Sequence, residues 1–133
     1  MKNFEPVYKE LENLFINKLP EYIEKINKEH NDGIILKSFE NKSLEENCIK
    51  TPSFSYNLEE TVCEEKDRII ENSAFTISLE IKLHPNTENK VFMFWRYLDA
   101  INRMIEESDE NEHWQQIRIM KFIKNKVMIR ITI

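Results

Sequence analysis

Residues 75–83 read Phe75-Thr76-Ile77-Ser78-Leu79-Glu80-Ile81-Lys82-Leu83, an unbroken alternation of apolar and polar residues. Successive side chains on a strand point to opposite faces, so this period of two predicts a half-buried β-strand. We expect its apolar side to face the core. Its polar side is expected to face solvent or a partner, and consists of Thr76, Ser78, Glu80 and Lys82.

The segments on either side of this strand predict an α+β domain. Residues 4–29 carry apolar residues at spacings of three and four, typical of an amphipathic helix, in which Pro20 predicts a kink or break. A second helix is predicted over 88–108 and further strands over 49–58, 114–123 and 127–133, whereas 34–39 is either a short strand or a packed loop. The order α-β-β-β-α-β-β predicts one domain over 1–133, with an antiparallel (mixed) sheet of four to five strands and both helices on one face.

The composition excludes several classes of protein. A chain of 133 residues with 41% hydrophobic and 32% charged residues is typical of one globular domain. The net charge of -5 argues against a general nucleic-acid binder, so we expect no nucleic-acid specificity. No apolar run approaches the ~20 residues of a membrane span, and Met1 is not followed by an apolar signal core. We therefore expect no membrane partner and a cytoplasmic location.

Residues that build common cofactor and metal sites are scarce. Gly33 is the only glycine, whereas phosphate-binding loops need several glycines for close backbone approach to the ligand. His30, His84 and His113 stand alone in predicted turns, without the spacing of metal ligands. We expect no cofactor, no metal and no catalytic site.

An enzymatic alternative starts from Glu80 and Lys82, which share one face of the predicted strand. Metal-dependent nucleases use such a pair, with a further acid such as Asp67, to hold Mg²⁺ and polarise a phosphate. Ordinary strand alternation explains the same two residues without any chemistry. The Mg²⁺-dependent nuclease stays open as an alternative. So does a small cytosolic adaptor or immunity protein whose acidic segment acts as a decoy for a basic partner.

Charge is segregated along the chain. An acidic segment, predicted to be a hairpin tip, contains Glu59, Glu60, Glu64, Glu65 and Asp67. Residues 115–133 contain no acid and carry Arg118, Lys121, Lys124, Lys126 and Arg130. Opposite charges in different parts of a small domain suit head-to-tail contact between copies. The last predicted hairpin is apolar enough to extend the sheet of a neighbour.

Aromatic residues cluster around the start of the second predicted helix. A ligand pocket is one interpretation of the cluster, although such rings more often anchor a core or an interface. Its members are Phe92, Phe94, Trp95 and Tyr97, joined by Trp114 and Phe122. On the same helix Arg96, Asp99 and Arg103 recur on one face, which we expect to be solvated and internally paired.

Two stretches resemble phage tail terminator proteins, also called tail completion or neck proteins. The first runs from Leu11-Glu12-Asn13-Leu14 through Lys18-Leu19-Pro20-Glu21-Tyr22-Ile23 to Asn31-Asp32-Gly33-Ile34. The second is Phe94-Trp95-Arg96-Tyr97-Leu98-Asp99-Ala100-Ile101, followed by Ile105-Glu106-Glu107, a turn and a closing hairpin. In topology the resemblance covers nearly the whole chain.

The resemblance implies a small α+β subunit that closes into a ring, usually of six, on the end of the tail tube. Such a ring stops tube polymerisation, so the implied partners are further copies of the chain, the tail tube protein and the head–tail connector protein. The implied location is the virion tail–neck junction, after assembly in the host cytoplasm. The implied interfaces are the acidic segment 59–67, the polar face of strand 75–83 and the last hairpin, with no active site.

Overall fold

A computed structural model describes residues 4–38, 53–66, 69–83, 89–108, 112, 114, 116–123 and 125–132. The helical elements are α1 (Phe4–Asn13), a π-helical segment (Leu14–Lys18), α2 (Leu19–Glu29) and α3 (Lys90–Glu107). The strands are β1 (Ser53–Lys66), β2 (Ile69–Lys82), β3 (Gln116–Ile123) and β4 (Lys126–Thr132). They form one antiparallel sheet in the order β1-β2-β4-β3, which confirms the predicted α+β class.

The core lies between one face of the sheet and the helices. In the ladder between β2 and β4, Ile77 lies opposite Ile129 and Leu79 lies opposite Val127, and all four side chains are buried. They belong to a single apolar cluster with buried residues from every helix. The polar alternation of β2 and β4 therefore separates a covered face from the face that carries Thr76 and Arg130.

Of the kink or break predicted at Pro20, the break does not occur: the helical stretch continues through Pro20, with an irregular segment just before it. A π-helical segment lies directly before α2, and the Leu19 N–H donates to the carbonyl of Leu14, five residues back. Proline lacks an N–H and its ring crowds the carbonyl four residues earlier, which a regular α-helix does not accommodate. The wider π turn lets the backbone pass this position while remaining helical.

Residues 34–38 form no strand, so of the two possibilities predicted for this apolar run the packed loop is the one observed. The side chain of Asn27 takes the place of a neighbouring strand: its Nδ2 donates to the Leu36 carbonyl (2.9 Å), and the Leu36 N–H donates to its Oδ1 (2.8 Å). Asparagine readily competes with regular ladders in this way. Gly33, at φ +83°, supplies the left-handed residue that turns the chain back toward α2.

The β1–β2 hairpin is longer than the sequence predicts. Glu60, Glu64 and Glu65 lie within the regular pairing of β1 with β2 rather than in a hairpin tip, and Asp67 lies outside the described residues. Cross-strand pairing satisfies the backbone N–H and C=O groups of β1 whatever the polarity of its side chains. An acidic composition therefore does not indicate where the strand ends and the hairpin tip begins. The ladder shifts register between Leu58 and Glu60 and again between Glu64 and Glu65.

Candidate interaction surface

The predicted interface residues of β2 and of the closing hairpin meet on one sheet face. Thr76 lies opposite Arg130, and Arg130 lies opposite Arg118 on the other side of β4. Two residues before Arg130 on β4, Met128 lies opposite Lys121 of β3. Directly paired residues of antiparallel strands project to the same face. The sheet therefore brings β2 together with a hairpin that is remote from it in sequence.

Two arginines with the same charge face each other at the β3 edge. Neither Arg118 nor Arg130 forms an ion pair within the described part of the chain, and the same holds for Lys121 and Lys126. Like charges in directly opposed positions destabilise a sheet, so the fold gains nothing electrostatically from this pair. Lys124, the fifth predicted cation, lies outside the described residues.

The acidic strand occupies the opposite edge of the sheet. The order β1-β2-β4-β3 leaves β1 and β3 as the two outer strands of the described sheet. Glu60 pairs with Thr76, so one row runs from Glu60 through Thr76 and Arg130 to Arg118. In composition β1 carries four glutamates and one lysine, and β3 carries Arg118 and Lys121 without an acid, so we call β1 the acidic edge and β3 the basic edge.

The alternation predicts that Ser78 faces solvent or a partner, but its side chain is buried within the monomer. Only 3% of its surface is exposed, and its Oγ donates to Glu59 Oε1 at 2.6 Å. Glu59 is the extra residue at the register shift of β1, and such bulges redirect a side chain relative to regular pairing. Glu59 and Ser78 are therefore bonded to each other within the monomer.

Glu80 and Lys82 lie two residues apart on β2, as the nuclease alternative requires. The Glu80 carboxylate accepts from the Asn125 side chain, whose Nδ2 lies 3.4 Å from Glu80 Oε1. The third acid of that alternative, Asp67, is not among the described residues. Within the described ranges, no group of three or more His, Cys, Asp or Glu is placed to hold a metal ion.

The aromatic cluster predicted from sequence divides into two sets. Tyr97 and Trp114 are core residues: the Tyr97 hydroxyl donates to the Lys37 carbonyl (2.7 Å), and Trp114 Nε1 donates to the Ser108 carbonyl (3.0 Å). Burial raises the pKa of Tyr97 to about 12. Phe92 and Trp95 are more than half exposed and Phe122 is 47% exposed, whereas Phe94 is partly buried against the core, so this second set is available to a partner.

Arg96 is not part of a solvated arginine face. It is 9% exposed, and its guanidinium forms a two-point ion pair with Asp32 and donates to the Ile34 carbonyl (3.2 Å). Arg103 binds Glu29 through two hydrogen bonds of 2.7 and 2.8 Å, and also Asp99. Contacts between α3 and the α2 region are remote in sequence, so helical spacing alone does not indicate them.

The Asp32–Arg96 contact predicts a pH-dependent contribution to stability. Hydrogen bonds from Arg96 lower the pKa of Asp32 from 3.8 to about 2. A carboxyl with a depressed pKa stabilises the fold above its unfolded pKa, and this contribution is lost as the pH falls through the folded value. We expect Asp32→Asn to lower Tm above about pH 4, and only modestly because the carboxylate is half exposed.

Thermal unfolding of both proteins between pH 2 and pH 6 checks this, because the gap in Tm is expected to close towards pH 2. Glu21→Gln, on an exposed side chain of α2, is the matched control and is expected to show no such gap. A difference in Tm between Asp32→Asn and the unmodified chain that stays constant down to pH 2 would show that the contact is not ionic.

None of the described helices combines the length and the apolar character needed to cross a membrane. The chain matches no protein-family model, and it has no significant match among curated proteins or solved structures.

Proposed function

We propose that this chain is a non-enzymatic structural subunit of the phage tail–neck junction, whose copies join head to tail through the acidic and basic edges of the sheet. One observation supports it above the others. The row from Glu60 to Arg118 begins in an acidic strand at one edge and ends in cations that have no ion pair among the described residues. Two copies placed edge to edge would bring these opposite charges together.

Edge strands provide the means of contact. β1 and β3 each pair with one neighbour in the described sheet, and the outer side of an edge strand presents N–H and C=O groups to another chain. The cations of β3 favour strand pairing with an acidic partner and repel a basic one, and this selectivity disfavours aggregation with other strand edges. A contact between two different edges is heterologous, and it generates a ring when the rotation between copies closes.

The resemblance to tail terminators supplies the setting for such a ring. A ring of about six copies would sit on the tail tube, stop its polymerisation and offer its other face to the connector. The stretches that carry the resemblance, around Leu11–Ile34 and Phe94–Glu107, belong mainly to the helices. The edges of the sheet would then remain for contact between copies.

Sedimentation velocity over a wide range of protein concentration tests the self-association, and electron microscopy of tail tubes from the same virus tests the setting. We expect association that grows with concentration and weakens with salt, because exposed charges are screened. We also expect rings at one end of the tubes. A chain that stays monomeric at every concentration and leaves the tubes uncapped would contradict the proposal.

A further inference from the structure

A cleft of about 420 Å³ lies between the start of α3 and the β3–β4 turn. It is lined by Lys90, Val91, Phe94, Trp95 and Asn125. Trp95 is 64% exposed, and Phe92 packs edge-on against it with ring centroids 6.4 Å apart. Exposed aromatic side chains gathered at a concave site are typical of a surface that binds another molecule.

Lys90 gives the cleft its charge. It is the only charged residue among the five that line the cleft, and it forms no ion pair within the described residues. It also stands in the first turn of α3, which contains no acidic residue. A cation is disfavoured at this end of a helix, so helix stability does not explain Lys90.

The polar wall of the cleft is fixed in place. The Asn125 side chain donates to the Ile81 carbonyl (2.9 Å), and the Asn125 backbone carbonyl accepts from the Ile81 N–H (2.9 Å). The β3–β4 turn is thereby held to the end of β2. A preformed wall reduces the ordering that a bound segment has to impose, which favours affinity.

We infer that this cleft binds a segment of a different protein that carries an apolar anchor side chain beside a carboxylate. The anchor would pack between Trp95 and Val91, and the carboxylate would pair with Lys90. The volume of about 420 Å³ is large enough for one or two side chains of such a segment. A nucleic acid is disfavoured because a single lysine and a net charge of -5 give no basic field. The inference goes beyond the proposed function, since the sheet edges take no part in it.

A random peptide library screened against the immobilised full chain tests the inference. We expect the selected peptides to combine acidic residues with an aromatic or branched apolar residue. Synthetic versions of these peptides, made without tryptophan, should protect the fluorescence of Trp95 from quenching by acrylamide. The other tryptophan, Trp114, is buried and contributes little to the quenching. Affinity should fall roughly tenfold or more for Trp95→Ala and for Lys90→Glu.

Matched variants distinguish binding in the cleft from a general effect of protein charge. Lys18→Glu makes the same charge change on a remote exposed residue and should leave affinity unchanged, as should Arg118→Glu, which alters the basic edge alone. Circular dichroism confirms that each variant is folded. Peptides without acids, or peptides that bind Trp95→Ala equally well, would overturn the inference. So would protection of Trp95 by rising concentrations of the chain alone, which would identify a second copy as the occupant.

Discussion

Replacement of Trp114 with alanine is expected to destabilise the fold by about 3–5 kcal/mol, the range observed for large aromatic residues in cores. Trp114 is 1% exposed and belongs to the apolar cluster beneath the sheet. Its Nε1 donates to the carbonyl of Ser108, at the end of α3. The substitution leaves a cavity and also removes the donor to that carbonyl.

The other tryptophan provides the control. Trp95→Ala removes a side chain of the same size from an exposed position and should change stability by less than about 0.5 kcal/mol. Urea unfolding followed by far-ultraviolet circular dichroism measures the free energy of unfolding of both variants, because this signal does not depend on the tryptophan that each variant lacks. Small domains have total free energies of unfolding of about 5–15 kcal/mol. The loss expected for Trp114→Ala is therefore a large part of the total, and the change expected for Trp95→Ala is a small one. Equal losses for the two variants would contradict the assignment of Trp114 to the core.

Much of the fold follows from local periodicity in the sequence. The alternation in 75–83 indicates both the strand and the side of it that is buried, and Ile77, Leu79 and Ile81 are all fully covered. The spacing of three and four in 4–29 and in the segment of α3 identifies the helices. These patterns are readable because each element buries one face, and the residues on that face repeat with the period of the element.

Periodicity misleads where distant residues decide the structure. The apolar run at 34–39 is compatible with a strand or a packed loop, and the choice depends on a side chain of α2, Asn27, which bonds the backbone of Leu36. Helical spacing predicts a solvated position for Arg96, yet Asp32, which lies 64 positions away in sequence, binds it. Sequence spacing carries no information about such contacts, since they depend on how the elements pack.

The candidate surface is only partly predictable for the same reason. The sequence separates acidic from basic segments, but it does not state the order of the strands or their register. The observed register places Arg118 directly against Arg130 and puts β1 at the far edge. The bulge that carries Glu59 to Ser78 is equally unpredictable, because nothing in an alternating pattern marks where an extra residue lies.

The second large effect concerns Arg118 of the basic edge and Arg130, which lies opposite it on β4. Arg118→Glu combined with Arg130→Glu is expected to weaken self-association at least tenfold, to the point where the chain sediments as a monomer at concentrations that assemble the unmodified protein. The fold should persist, because two acids replace two bases and the repulsion between opposed positions keeps its magnitude. Lys18→Glu with Lys37→Glu changes net charge equally at exposed sites off the sheet and should leave assembly intact.

Charge exchange between the two edges tests the central claim most directly. Glu60→Lys with Glu64→Lys should abolish association by making β1 basic like β3, and the arginine reversal should abolish it by cancelling the positive charge of β3. Sedimentation velocity of an equimolar mixture of these two variants is the decisive measurement, because the reversed β1 of one variant can then meet the reversed arginines of the other, and the unmodified β1 can meet the unmodified β3. We predict that assemblies reappear in the mixture although each variant alone stays monomeric. A mixture that remains monomeric while the unmodified chain assembles would show that copies do not join through these edges.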